Sequence, residues 1–527
     1  MRVYLIPVLM NLRGMNTMSD KIGHSDSVIT KNTQELRSRK EARQDRNFYI
    51  KCIVAVVAIA VAFVLCLLYN NQDFRKGMTA VTVNGEKFSA TDLDYYYYTT
   101  ISQYSSQYGT YLSYMGLDLN QDLDQQEYSD GKSWGDYFRE QAVTMLSQSA
   151  AMYQDATKNG YEISDDLQQQ IDDYSASIDS YCTSNSITRE QFLQQRYGSS
   201  MTDEIFMKNL KMMFVASQYA SDYQQNHEYS DDELNTYYDA HKNDIDLASY
   251  EVLTVNADYT GIEGTTKGST DETPTYTKEQ DKEALAAAEK TANAFLDRVN
   301  SGQSLSDIGD EFGSNYYSNK TDVSYSTYTN YAFDDWAFDE SRTEGEASVV
   351  KDEDNNCWYV VVFHNRYRPD YNTVDVRHIL IKPADSGLSS SDDGYEEAKA
   401  TNDAYAKNQA QEVLNKYLAG EHTADAFGAL AKEYSSDSNA SDGGLYTRVY
   451  KGEMVDSFED WCFDPSRKSG DTGIVETTYG YHVMYFQGTD IPYWQVRCIN
   501  NLYTEWQNNI FDSAKVSKNS FGIKAVG

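Results

Sequence analysis

One stretch of this chain is written twice. Residues 333–350 read FDDWAFDESRTEGEASVV and residues 458–475 read FEDWCFDPSRKSGDTGIV. At an offset of 125, Phe, Asp, Trp, Phe, Asp, Ser, Arg, Gly and Val recur in register. Each copy runs on into an apolar strand pattern, WYVVVF at 358–363 and YHVMYF at 481–486. Upstream, each has a helical pattern ending near glycine, AEKTANAFLDRVNSG and NQAQEVLNKYLAG. Each also opens on a strand pattern, YEVLTV at 250–255 and VRHILI at 376–381. A repeat of this length predicts two modules of the same fold, ordered strand, helices, strand, strand.

A second feature limits where those modules can work. From Cys52 to Tyr69 the chain reads CIVAVVAIAVAFVLCLLY, eighteen residues without a charge. A bilayer asks roughly 17–25 such residues of a helix, and buried core helices rarely stay apolar on every face for five turns. Lys31, Arg37, Arg39, Lys40, Arg43, Arg46 and Lys51 precede the run, whereas Asp73, Arg75 and Lys76 follow it. The heavier basic flank stays in the cytoplasm, so the chain beyond Tyr69 is expected outside. The run exceeds a usual signal-peptide core and no A-x-A-like site follows, so an uncleaved anchor is expected. Leu65 before Cys66 argues against a lipoprotein, and Met15 or Met18 competes with Met1 as the start.

Of 45 basic and 81 acidic residues, 12 and 6 fall within 1–77, leaving 33 and 75 beyond. A net charge of about −42 outside argues against nucleic acid and acidic lipid surfaces, and favours solubility. Cys182, Cys357, Cys462 and Cys498 are dispersed with no CxxC pair, so no metal site is expected and disulfide pairing stays open. The acidic stretches DEDNN (352–356) and DSNASDGG (437–444) lack the twelve-residue calcium-loop spacing and read as turns.

Between anchor and repeat the signals are mostly helical. TAVTVNGEKFSA (79–90) reads as two strands about an Asn-Gly turn, with Thr91 placed to cap the next helix. Phe206, Leu210, Met213, Ala216 and Ala220 recur at helical spacing, and Ser164 and Ser230 read as helix N-caps. The segment 261–280 is poor in large apolar residues and reads as an insertion.

The second module resembles the parvulin family of peptidyl-prolyl isomerases over about 374–489. The matching pieces are VRHILIK (376–382), FGALAKEYSSDSNASDGGLY (427–446), GEMVDSFEDWCF (452–463) and VETTYGYHVMYF (475–486). The region before it resembles the helical chaperone domains of extracytoplasmic foldases of the PrsA and SurA type, through VNGEKF and the YSDDEL-type caps. That resemblance implies an α+β architecture in six parts. They are a cytoplasmic tail (1–48), a single transmembrane anchor (49–70), a helical chaperone-like domain (78–245), a degenerate parvulin-like domain (246–370), a parvulin-like isomerase domain (371–489) and a C-terminal helical segment (490–527). In such foldases the last helix often packs back on the N-terminal domain, an expectation for NNLYTEWQNNIFDSA (500–514) here.

Rotation about an X-Pro bond loses amide resonance at a barrier of about 18–20 kcal/mol, and lowering it needs no nucleophile, metal or cofactor. It needs an apolar slot for the ring and polar groups that prefer the twisted amide. By resemblance, Leu445, Met454 and Phe458 form the slot; by residue type alone each reads rather as plain core. His378 and His482 fall on the family's paired-histidine positions, Asp437 on its Asp/Cys position and Thr477 on its hydroxyl position. Asp437 also reads as a turn-forming side chain. Val252 stands in the first module where His378 stands in the second, and Tyr359 where His482 stands. The first module is therefore expected to be inactive, retained for client binding or spacing. The expected activity is a foldase for exported, unfolded polypeptides. The competing expectation is a holdase or assembly scaffold without isomerase activity, and a homodimer is a candidate assembly.

Overall fold

The computed structural model describes residues 57, 72–129, 131–264, 274–325 and 331–527. Among these, no helix is long and apolar enough to cross a membrane. The expected tail and anchor lie outside the described residues but for Val57, as do residues 265–273 of the 261–280 insertion. The chain forms two compact units, one holding the described residues up to Tyr219 with Ile510–Gly527, the other Ala220–Asn509.

In the first unit, Thr79–Val83 and Glu86–Ser89 form the hairpin expected of VNG. Asn84 and Gly85 both take positive φ (50° and 91°), which an Asn-Gly pair tolerates and most residues resist. A third strand, Val516–Lys518, pairs antiparallel with Thr79–Val83. The following helix, Ala90–Tyr108, is capped by Ser89 rather than Thr91. The Ser89 hydroxyl oxygen accepts from the Asp92 N–H while Asp92 accepts from the Ser89 N–H, a reciprocal pairing that Thr91 sits too late to make. Thr91 is instead buried inside the helix and donates to Ser200 Oγ at 2.9 Å. Phe88, Leu93, Tyr96, Phe138, Leu146 and Phe206 are wholly buried around these helices. Of the 500–514 stretch, Ile510, Phe511 and Ala514 join this core. Ser164 caps helix Asp165–Ser184 as expected, and in the second unit Ser230 caps helix Asp231–Ala240.

The second unit carries the repeat. Its first sheet comprises β1 (Leu247–Asn256), β2 (Tyr317–Ser324), β3 (Ala347–Asp352) and β4 (Cys357–Tyr367), in spatial order β2-β1-β4-β3. Its second comprises β5 (Asn372–Ile381), β6 (Leu445–Val449), β7 (Thr472–Thr477) and β8 (Gly480–Pro492), in the order β6-β5-β8-β7. All pairs are antiparallel and the two orders are identical.

Helices fill both faces of each sheet. α1 (Lys278–Asn300) and α2 (Leu305–Phe312) set Ala288, Ala292 and Ile308 against Leu253, Val255 and Val360. The short α3 (Ala332–Ala337) covers the other face with Phe333 and Ala337. In the second module α4 (Tyr395–Leu418) and α5 (Ala424–Tyr434) pack Ala410, Val413 and Phe427 against Ile379 and Val483. α6 (Asp456–Cys462) packs Phe458 and Cys462 against Val376, Met484 and Phe486 on the opposite face. Cys182, Cys357, Cys462 and Cys498 are buried free thiols, so the open question of pairing resolves to none among them.

Candidate active site

Strand period decides which side chains meet. In β5, Val374, Val376 and His378 alternate onto the face covered by α6, and β8 sets Met484 opposite His378 and His482 opposite Leu380. Two rungs of one ladder thus bring two buried histidines together, 2 % and 5 % exposed. Their Nδ1 atoms are 3.0 Å apart and their rings lie 18° from parallel. Thr477, where β7 turns into β8, places Oγ1 2.8 Å from His482 Nε2. Asp437, at the N-cap of the short helical turn Ser438–Asp442, places Oδ2 3.5 Å from His378 Nε2. The ring of Phe458 stands edge-on to both imidazoles, at 5.6 and 5.4 Å.

The loop carrying Asp437 reaches β5 only because of its glycines. Gly444 has φ +67°, and a Cβ there would lie 2.1 Å from the His378 carbonyl oxygen. The Gly444 carbonyl accepts from the His378 N–H at 2.9 Å, tying loop to strand. The stretch SDSNASDGG is thus a turn whose final glycines permit a backbone approach that no larger residue allows. DEDNN is a turn as well, with Asp352 accepting from the Asn355 N–H at 2.9 Å.

Burial sets the charge state. It pushes His482 down to about 4, with His378 acting in the same sense and Asp437 opposing. Burial lowers His378 likewise, against Asp437 and Asn439. Burial works to raise Asp437, but the Asn439 N–H and His378 outweigh it and hold its carboxyl below the usual range. At neutral pH the pair is therefore two neutral imidazoles beside a carboxylate. Neutral rings meeting through Nδ1 share one proton in that contact. If His378 supplied it, a bare Nε2 lone pair would face Asp437. The favourable arrangement has His482 donate through Nδ1, His378 keep its proton on Nε2 towards Asp437, and Thr477 donate to His482 Nε2.

Of the residues singled out from sequence, His378, His482, Asp437, Thr477 and Phe458 converge. Met454 is half-buried against the Phe458 cluster. Leu445 does not converge. It pairs with Arg377, whereas Tyr446 pairs with Val376 and so shares the face of His378. The Tyr446 ring lies 5.2 Å from His378 and its hydroxyl donates to Asp437 Oδ1 at 3.4 Å. The alternation of β6 against β5 was the signal for Tyr446, but two consecutive glycines before the strand hide its phase in the sequence.

The same ladders locate the counterpart positions in the first module. Val252 pairs with Val361 and Thr254 with Tyr359, as His378 pairs with Met484 and Leu380 with His482. Asp352 pairs with Cys357 as Thr477 pairs with Gly480. Val252, Tyr359 and Asp352 therefore occupy the rungs of His378, His482 and Thr477, and Phe333 the place of Phe458.

Residues 378–488 match the family model for the PPIC-type PPIASE domain, and residues 39–220 that for the SurA-like N-terminal domain. "Foldase protein PrsA 1" of Listeria innocua is 42% identical over 76 residues, 14% of this chain and 24% of that protein. "Foldase protein PrsA" of Staphylococcus epidermidis is 36% identical over 116 residues, 21% of this chain and 31% of that protein. The chain thus matches between about a quarter and a third of the length of these curated relatives. A crystal structure of PrsA from Bacillus subtilis aligns over 73% of this chain and 90% of its own at 14% identity, with a TM-score of 0.25.

Proposed function

We propose that this chain, which carries a PPIC-type isomerase domain behind a SurA-like N-terminal domain, is an extracytoplasmic foldase that binds unfolded exported polypeptides and isomerises their X-Pro bonds. The observation that carries the reading is the buried histidine pair, Nδ1 to Nδ1 at 3.0 Å, with Thr477 Oγ1 2.8 Å from His482 Nε2 and the Asp437 carboxylate 3.5 Å from His378 Nε2. Such a pair moves no proton. It fixes a rigid polar floor beneath an apolar ring slot, where a preorganised environment favours the twisted imide over the planar one. Phe458, Met454 and Tyr446 are the slot walls in this reading. Uncatalysed isomerisation takes tens to hundreds of seconds, long enough to delay folding of an exported chain.

The apolar run 52–69 with its basic upstream flank supports anchoring by one N-terminal helix, with the N-terminus cytoplasmic and the bulk outside. The six-part division, with 246–370 as an inactive module, belongs to the same reading. Its support is the shared strand order and the loss of both histidines at Val252 and Tyr359. That loss is also what favours the second reading, a holdase or scaffold that works without isomerisation.

A protease-coupled isomerisation assay on the full chain separates the two. The foldase reading expects accelerated cis-to-trans conversion, reduced by about tenfold or more in His378→Ala and in Phe458→Ala, since losing a buried group of this kind costs 1.4 kcal/mol or more. A folded chain without isomerase activity would leave the holdase reading.

A further inference from the structure

In the first module, the positions that carry the histidine pair in the second instead border an open cleft of about 560 Å³. Val252 and Tyr359 line it, and so does Phe333, at the place of Phe458. Ring contacts around Phe333 shape it. Tyr331 stacks on Phe333 at 5.0 Å and 11°, Tyr359 meets Phe333 edge-on at 4.7 Å and 85°, and Tyr250 closes the floor at 5.8 Å from Phe333. Lys320, opposite Tyr250 in the β1–β2 ladder, takes the place of Tyr446 and lines the cleft. One polar pair is engaged internally, as the Tyr250 hydroxyl donates to the buried Asp334 Oδ1 at 2.6 Å.

We infer that this cleft is a non-catalytic docking site for an extended, proline-bearing segment of a client polypeptide. The inference rests on the client-binding part of the reading above and goes beyond it by placing a second site in the module that lost the histidines. Aromatic-lined grooves hold proline rings because the ring packs on a π-face and the extended segment arrives already ordered. The volume suits a peptide side chain and its flanking backbone. With valine and tyrosine in place of the histidines, the cleft lacks the imidazole pair that serves the twisted imide in the second module, so the segment is held without being turned over. A basic side chain is the rival occupant, drawn by four rings and Asp334. Lys320 on the wall opposes it.

The test uses the full chain and three photoreactive peptides, identical except for Pro, Ala or Lys at the central position, with crosslinks mapped by mass spectrometry. The expected result is crosslinking of the Pro peptide to residues 318–359 as well as to the second module. Tyr331→Ala should lower the first set by about fivefold to tenfold, since an interface ring is commonly worth 1 kcal/mol or more. Tyr331→Phe should restore it, and isomerase activity should be unchanged in both. Crosslinks confined to the second module, or a preference for Lys over Pro at 318–359, would overturn the docking site while leaving client binding intact. Crosslinks to neither module would overturn both.

Discussion

Two atoms decide the state of the candidate site, the Nδ1 nitrogens of His378 and His482. Because burial holds His482 at about 4, the folded chain stays unprotonated there at pH values where the unfolded chain, near 6.5, takes up a proton. The unfolded state then binds more protons, so stability falls as pH drops from about 6.5 towards 4, by up to roughly 3 kcal/mol for that one group. Above pH 7 both states are neutral and the contribution is flat. Urea midpoints at pH 7.5 and 5 should show this loss in the wild type and a smaller one in His482→Gln. Thr477 offers a finer probe. Thr477→Val removes the hydroxyl 2.8 Å from His482 Nε2 and should cost about 1 kcal/mol with a several-fold drop in isomerisation, while Thr477→Ser should keep most of both. Gly444→Ala combines a left-handed φ with a Cβ 2.1 Å from a backbone oxygen, and should destabilise by about 2 kcal/mol or more in thermal unfolding.

At the scale of elements, local signals are legible where a side chain bonds its own backbone. Ser164 and Ser230 cap their helices because a serine oxygen within reach of the third N–H is a purely local arrangement. Thr91 is not the cap because Ser89, two residues earlier, offers the same chemistry and only the Ser89–Asp92 reciprocity distinguishes them. Ser89→Ala should therefore lower stability by about 1 kcal/mol and Thr91→Ser by less, measurable as shifts in urea midpoint. Leu445 fails for a different reason. Its phase on β6 follows from how Gly443 and Gly444 turn the chain into the strand, and that turn is set by contact with the His378 backbone.

At the scale of the whole molecule, the first unit closes on residues distant in sequence. Val516–Lys518 completes the sheet of Thr79–Val83, and the buried Arg139 Nε donates to the Val526 carbonyl at 2.9 Å. Removing residues 515–527 strips a strand from that sheet and leaves Arg139 buried without that acceptor. Limited proteolysis within 79–219 should accelerate markedly, while the isomerase activity proposed for the other unit should be unaffected.

Periodicity and repetition determined much of this protein directly. The twofold repeat implied two like sheets, and the spacing of His378, Asp437, Thr477 and His482 within a family pattern nominated the site, since recurring residues in register encode a recurring fold. What only tertiary structure decided was geometry between ladders. The alternation of β5, β6 and β8 puts Tyr446 rather than Leu445 beside the histidines, and α3 turns the emptied counterpart site into an aromatic cleft. Those outcomes depend on which strand faces which helix, a relation that no residue carries in its own neighbourhood of sequence.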